Sequence, residues 1–472
     1  MPIGQFYAVD YDTQRPYWVY GGLQDNGSWA IPTQTARGGV GFWDAQSLSG
    51  GDGFFVRTDK ADPAVVYSES QGGQVVKVNR STGQRTSVRG AMNRAKGLRK
   101  GELLRCNWNT PIELGLHAPK VVYVGSQYLL RSLDGGETFT VISPDLTSNS
   151  PRKQATGEIA KRISINGEST GAENHCTIVT IAESPLMKGV IATGSDDGRV
   201  NVTTDDGKSW TDVTENIPGL PSGIWCSRVI LSHWSPTRIY ATFDNHRYDD
   251  FLPYLYRSDD LGKSWTKMDG GLPEYDCLYV IREDTRRKDV LYLGSEMALR
   301  ISDDAGQSWT RLHGGFPTVA VHDLQINDRD GDLIIGTHGR AIWTLDLEPL
   351  QHFKSPTGTE LYPPQDVVRM PFVTGNPAMG NRYFVAPNTL GTLIYYRLDE
   401  EVKDDVKLRI LKSDGDEIVS FAGTKDAGLN SVRWNGRANG VAVPVGDYVV
   451  EMTSGKTKLT VPLKVVAPIT VN

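Results

Sequence analysis

Short runs of alternating apolar residues recur through the middle of the chain, at 121–125, 190–194 and 291–294, and each leads through a polar step into one eight-residue pattern. The pattern is Ser/Thr-x-Asp-x-Gly-x-Ser/Thr-Trp/Phe, at 132–139, 203–210, 258–265 and 302–309. Alternation with period two predicts strands, and the octet predicts the tight turn of a hairpin. Its Asp accepts backbone N–H bonds inside the turn, its Gly supplies a positive φ, and its terminal aromatic packs between neighbouring sheets. A unit repeated in this way predicts four-stranded sheets arranged as blades, with the octet between the third and fourth strands.

The inner strands of seven such units are expected to begin near Gln5, Gly53, Cys106, Cys176, Cys226, Cys277 and Thr318, which fills residues 1–350. The first, second and last units lack the octet. The last, ending at 341–346, shows no clear fourth strand, so closure is expected to use upstream chain or the segment after Glu348. Beyond 356 the alternating strands lengthen, at 392–398, 406–411, 417–421, 431–434 and 447–453. That change predicts a β-sandwich at 376–472, joined through a linker or edge strand at 351–375. The expected fold class is all-β.

Composition fits many short strands and turns, with 50 Gly and 25 Pro in 472 residues. A formal charge of −6 without a clustered basic face removes the electrostatic reason to expect nucleic-acid binding. No apolar stretch reaches eighteen residues, so no membrane span is expected, and residues 1–10 lack the basic start and apolar centre of a signal peptide. Cys106, Cys176, Cys226 and Cys277 each stand at the start of a unit. Three readings of them stay open: buried thiols, a disulfide between adjacent units, or a metal or reactive cluster. They match no Cys-x-x-Cys zinc pattern, and no cofactor or metal is expected.

The octet is that of the Asp-box, also called the BNR repeat, and the chain resembles the Asp-box β-propeller proteins often labelled glycosyl hydrolases, relatives of sortilin and of xyloglucan-cleaving enzymes. Further matching segments are Tyr20-Gly21-Gly22-Leu23-Gln24-Asp25-Asn26-Gly27, Gly51-Asp52-Gly53-Phe54, Asn107-Trp108-Asn109, 142–147 and Gly336-Thr337-His338-Gly339-Arg340. Residues 434–437 and 443–448 are similar to the Ig-like module of flagellar hook-capping proteins. The resemblance implies a seven-bladed Asp-box β-propeller followed by an Ig-like β-sandwich, an extracellular or periplasmic home, and a place near the C-terminal end of a longer protein. In the xyloglucan-cleaving relatives the substrate lies between two propellers that each bring one acid, so an upstream propeller is an expected partner. Sialidases also carry the octet, but their Arg-Ile-Pro signature is missing here.

In such blades the loops between strands two and three share one face with the blade-to-blade connections, and ligands of propellers bind there. This face is expected to carry a ring of polar side chains for a polysaccharide or peptide ligand: Gln24, Asp25, Asn26, Asp52, Glu69, Gln71, Trp108, Asn109, Gln127, Asp196, Asp244, His246, Arg247, Glu296, His338 and Arg340. Glycoside hydrolysis needs two carboxylates facing the scissile bond. The candidates are Asp25, Asp52, Asp196, Asp197, Asp244 and Glu296, with Glu69 a further ring acid. The long connection 148–175, with Arg152, Lys153, Lys161, Arg162, Glu168 and Glu173, is expected to form a flap over the mouth. Two weaker signals are Asp328-Arg329-Asp330-Gly331-Asp332, expected to be a plain turn rather than a calcium loop, and an acid–base pairing of Asp323 with His322.

Overall fold

The computed structural model describes residues 3–36, 39–155, 174–351, 358–370, 384–387 and 390–470, the short segment 384–387 by its backbone alone. Lys161, Arg162, Glu168 and Glu173 of the expected flap lie outside the described residues. Among those described, seven antiparallel sheets follow one another along the chain, six of four strands and one of three. Each runs in sequence order; the fourth, for example, is Ile178–Glu183, Ile191–Ser195, Val200–Thr203 and Thr211–Asp212. First strands of consecutive sheets pack side by side. The first strand of the seventh, Val321–Asn327, packs back against Phe6–Tyr11 of the first, where the Asp323 carboxylate accepts the Val9 N–H at 3.0 Å. The sheets therefore close a ring.

All four octets sit between third and fourth strands and share one set of bonds. In the third copy the Ser258 hydroxyl donates to Asp260, the Gly262 N–H donates to Ser258, and Asp260 accepts both the N–H and the hydroxyl of Ser264. Thr138 and Ser209 bind Asp134 and Asp205 in the same way. The turn is tighter than the pattern indicates, because the residue before the octet glycine is also left-handed, at Asp206 (φ 65), Leu261 (φ 59) and Ala305 (φ 58). The closing aromatics pack into the gaps between sheets: Trp309 is 8 % exposed, and its indole N–H donates to Met268 O of the preceding sheet at 3.3 Å.

Two expected strand starts move. The third sheet opens at Ile112–Leu114, six residues after Cys106, because 107–110 form a turn in which Asn107 accepts the Asn109 N–H and the Thr110 hydroxyl, and Pro111 has no N–H to give a ladder. The seventh opens at Val321 and ends with Ile342–Asp346, followed by a short helix, Leu347–Gln351, whose Leu347 is buried beside Leu333 and Ile335. At the seam Gly4 O accepts the N–H groups of Gly339 and Ala341. All four cysteines are buried and free, so no disulfide joins the units.

In the C-terminal part a three-stranded sheet (Glu360–Leu361, Thr392–Leu398, Gly428–Trp434) and a five-stranded sheet enclose one core around Tyr396, Trp434, Leu408 and Val450. It is tied to the ring by Arg15, whose backbone pairs with Ile469 and whose guanidinium lies 3.4 Å from Asp366, and by Gly39–Gly41, which pairs with Phe384–Pro387. No helix among the described residues is long and apolar enough to cross a membrane.

Candidate functional site

In six of the seven sheets the pairing of strands one and two slips by a residue near its start: between Phe6 and Ala8, Gly53 and Val56, Ile178 and Thr180, Cys226 and Arg228, Leu278 and Val280, and Val321 and Asp323. Such bulges re-aim the extra side chain. The bulged residues Tyr7, Phe54, Phe55, Val179, Ser227, Tyr279 and His322 all line one cavity of about 1050 Å³. Period two predicts a regular ladder there, and a bulge leaves no mark on an apolar alternation.

Rings run along the cavity in an unbroken series. Tyr279 lies 4.3 Å from His322, His322 stacks on His338, Tyr7 meets His338 at 5.0 Å and Phe54 at 4.7 Å, and Phe54 meets Trp108 at 6.1 Å. Trp225, Tyr248, Phe251 and Tyr275 line the cavity as well; the last is 78 % exposed. Polar atoms of the same lining are left with bonding capacity. Trp108 Nε1, Asn109 Oδ1, Arg228 Nε and His338 Nδ1 are buried without a hydrogen-bond partner, a costly condition that a ligand or water relieves.

Below the rings is a charged cluster. Asp323 Oδ1 lies 3.0 Å from Arg282 and 3.1 Å from Arg228. Arg228 and Asp323 belong to the fifth and seventh sheets, so this contact crosses the ring. Arg57 pairs with Glu113 at 3.2 Å. Burial, opposed by Asp323 and reinforced by Arg228 and Arg57, lowers the Arg282 guanidinium to about 10. The expected pairing of Asp323 with His322 is replaced by these bonds, which together with the Val9 N–H take up the Asp323 carboxylate, while His322 stacks on His338.

Asp196 is the most perturbed cavity acid. Its carboxylate accepts the Thr177 N–H at 2.9 Å, the Thr177 hydroxyl at 2.5 Å and an Asn107 N–H at 3.1 Å, and His175 lies 3.4 Å away. Burial and then the charge of Asp197 push it up to about 7 against the pull of those bonds. Asp197 goes the other way: burial raises it, but bonds from Ser148 and Ser195 hold it below the usual carboxylate range.

No protein-family model and no curated protein matches the chain. Solved structures do. A GH74 xyloglucanase from Xanthomonas campestris superposes with a TM-score of 0.50 at 14 % identity, over 97 % of this chain and 73 % of that one. A GH74 enzyme from Niastella koreensis gives 0.48 at 11 %, over 97 % and 72 %, and an extracellular domain assigned to a one component system of B. thetaiotaomicron gives 0.47 at 11 %, over 99 % and 57 %.

The fold is of the β-propeller type. On this propeller, nine of the ring residues read from the sequence line the cavity: Gln24, Trp108, Asn109, Asp196, Asp244, His246, Arg247, Glu296 and His338. Gln24 accepts the Tyr7 hydroxyl at 2.5 Å, Glu296 accepts that of Tyr279 at 2.6 Å, and Arg247 lies over the Trp225 ring at 4.3 Å.

The other expected ring residues are outside the cavity lining. Asp52 accepts the Asp25 N–H, and Gln71 in turn accepts the Asp52 N–H. Glu69 is fully buried, binds the Gly73 N–H and is raised well above the carboxylate range by burial, while Gln127 bonds Arg105 N and Leu103 O. Asp197 caps Ser148. Asp25, Asn26 and Arg340 are exposed. Of the flap, Lys153 reaches Gly223 O at 2.9 Å. The 328–332 segment is a turn held by the pairing of Arg286 with Asp328 and of Asn327 with Asp330.

Proposed function

We propose that this chain is a recognition module that takes a glycan segment into the propeller cavity. The observation that supports it most is the continuous series of rings from Tyr279 to Trp108 in a lining that also holds unspent polar atoms. Sugar faces stack on rings of this kind while their hydroxyls bond amides, imidazoles and carboxylates. We read the ring of sheets as a seven-bladed propeller of Asp-box type over 1–350, 351–375 as a connecting segment that supplies edge strands, and 376–472 as an Ig-like sandwich. The resemblance to sortilin and the xyloglucanases supports an extracellular or periplasmic setting and an upstream propeller as partner.

A glycoside hydrolase is the second reading, favoured by Asp196. A carboxyl raised to about 7 keeps its proton near neutral pH, as a general acid must, and Asp244 and Glu296 in the same cavity are the candidates for the second carboxylate. A glycan and peptide array, with released reducing sugar assayed in parallel on xyloglucan, separates the readings. Glycan capture without turnover supports recognition. Turnover lost in Asp196→Asn supports the hydrolase, and capture of peptides alone overturns both.

A further inference from the structure

Among the described residues, one group of side chains brings metal-ligating atoms of three different kinds together. A carboxylate oxygen of Asp244, an imidazole nitrogen of His246 and the Cys277 sulfur all lie within 4.8 Å of one another. We propose that these three residues form a binding site for a divalent transition-metal ion, with Zn²⁺ as the best match to the donors.

The site is assembled from two neighbouring sheets. Asp244 is near the end of Ile239–Asn245, His246 opens the turn His246–Tyr248, and Cys277 immediately precedes Leu278–Glu283 of the next sheet. Each donor is held by its own backbone bonds or partners. The Asp244 carboxylate accepts the His246 N–H at 3.1 Å, and the Arg247 guanidinium lies 3.4 Å from its second oxygen. Cys277 O accepts the Glu296 N–H at 3.0 Å. Donors around a tetrahedral zinc stand roughly 3.3–3.7 Å apart, given bonds of about 2.0–2.3 Å. His246 Nδ1 lies 2.7 Å from the Asp244 carboxylate, in a hydrogen bond that the ion would replace as these two donors separate to that spacing and Cys277 closes in.

Donor chemistry selects the ion. Sulfur and imidazole suit zinc and its neighbours and disfavour calcium and magnesium, which take oxygen ligands. On binding, the Cys277 thiol releases its proton to solvent and the thiolate bonds the ion. Thiolate and Asp244 carboxylate together then balance its two charges. No cysteine of another unit has such a set of three donors among the described residues. The Cys106 sulfur instead accepts a bond from the Arg89 guanidinium at 2.7 Å, and Cys226 faces the backbone of Arg228. Because Asp244, His246 and Cys277 all line the cavity, a fourth coordination position faces its interior, open to water or to a ligand oxygen.

The test uses the full chain stripped with a chelator, titrated with Zn²⁺ against a chromophoric competitor and separately with Co²⁺, whose thiolate bond gives a charge-transfer absorption. The expected result is one equivalent of Zn²⁺, a thiolate-to-cobalt band, and affinity at least tenfold weaker in His246→Ala and in Cys277→Ser, the metal-free melting temperature reporting that each variant is folded. His246 is partly exposed, so its variant keeps the test open if Cys277→Ser does not fold. No bound Zn²⁺, no cobalt–thiolate band, or affinity unchanged in His246→Ala would each overturn the site. None of these readouts involves sugar, so the metal site and the glycan reading stand or fall separately.

Discussion

His322 and His338 stack face to face, with ring centroids 4.2 Å apart and 10° between their planes. The stack joins the first strand of the seventh sheet to the loop that meets the chain's N-terminal residues. Both rings are held neutral. Burial, then the neighbouring His338, His246, Arg228 and Arg247, lowers His322 well below the ordinary histidine value, and burial lowers His338.

A native state that keeps these imidazoles neutral binds fewer protons than the unfolded chain below about pH 6.5. Their contribution to stability is therefore whole above that pH and is lost as the pH falls. Melting temperatures measured from pH 7.5 to 5 are expected to fall less steeply in His322→Gln than in the wild type.

Asp196 has the opposite sign. Its pKa is raised to about 7, so the native state binds more protons than the unfolded state between the ordinary aspartate value and 7, and stability declines as the pH rises through that window. Asp196→Asn is expected to lose this decline. The wild type should lose at most roughly 4 kcal/mol relative to the variant between pH 4 and 7, at about 1.36 kcal/mol per pH unit. Denaturant titrations of both proteins at several pH values measure it.

The carboxylate of Asp323 binds the buried Arg228 guanidinium, the partly buried Arg282 guanidinium and the Val9 N–H. Asp323→Ala leaves those charges uncompensated, and a loss of about 3–5 kcal/mol is expected. Chemical denaturation reads it, and Arg340→Ala, at an exposed position, serves as the near-neutral control.

Octet aromatics fill the gaps between sheets, and Trp309 packs with Met268, Leu291 and Leu293. Trp309→Ala is expected to destabilise the protein by about 3–5 kcal/mol. The measurement is equilibrium unfolding in urea.

Much of this architecture was readable from the chain because an octet with fixed Asp, Gly and Trp positions builds the same turn wherever it occurs. Strand two, closing on Gly125, Gly194 and Gly294, marked the blades for the same reason. Half of the polar ring could not be separated from the site in sequence, since Asp52, Glu69 and Asp197 have the residue type of ligand-binding acids yet are taken up by backbone N–H groups and hydroxyls of their own and neighbouring loops. The inner row was not placed in the site for a different reason. Tyr7, Tyr279 and His322, the last read only as a partner of Asp323, reach the cavity through bulges, which depend on strand pairing rather than on local pattern. The meeting of Asp244 and His246 with Cys277 spans two sheets and has no spacing to read.

Ligand capture at the ring series is the most direct test of glycan recognition by this cavity. We would titrate xyloglucan oligosaccharides, and any other glycan retained on an array, into the wild type, Trp108→Ala and Tyr275→Ala by calorimetry. Binding by the wild type is expected, and it should be at least tenfold weaker in both variants at unchanged melting temperature. A glycan bound equally well by all three proteins, or no glycan bound by the wild type, would contradict it.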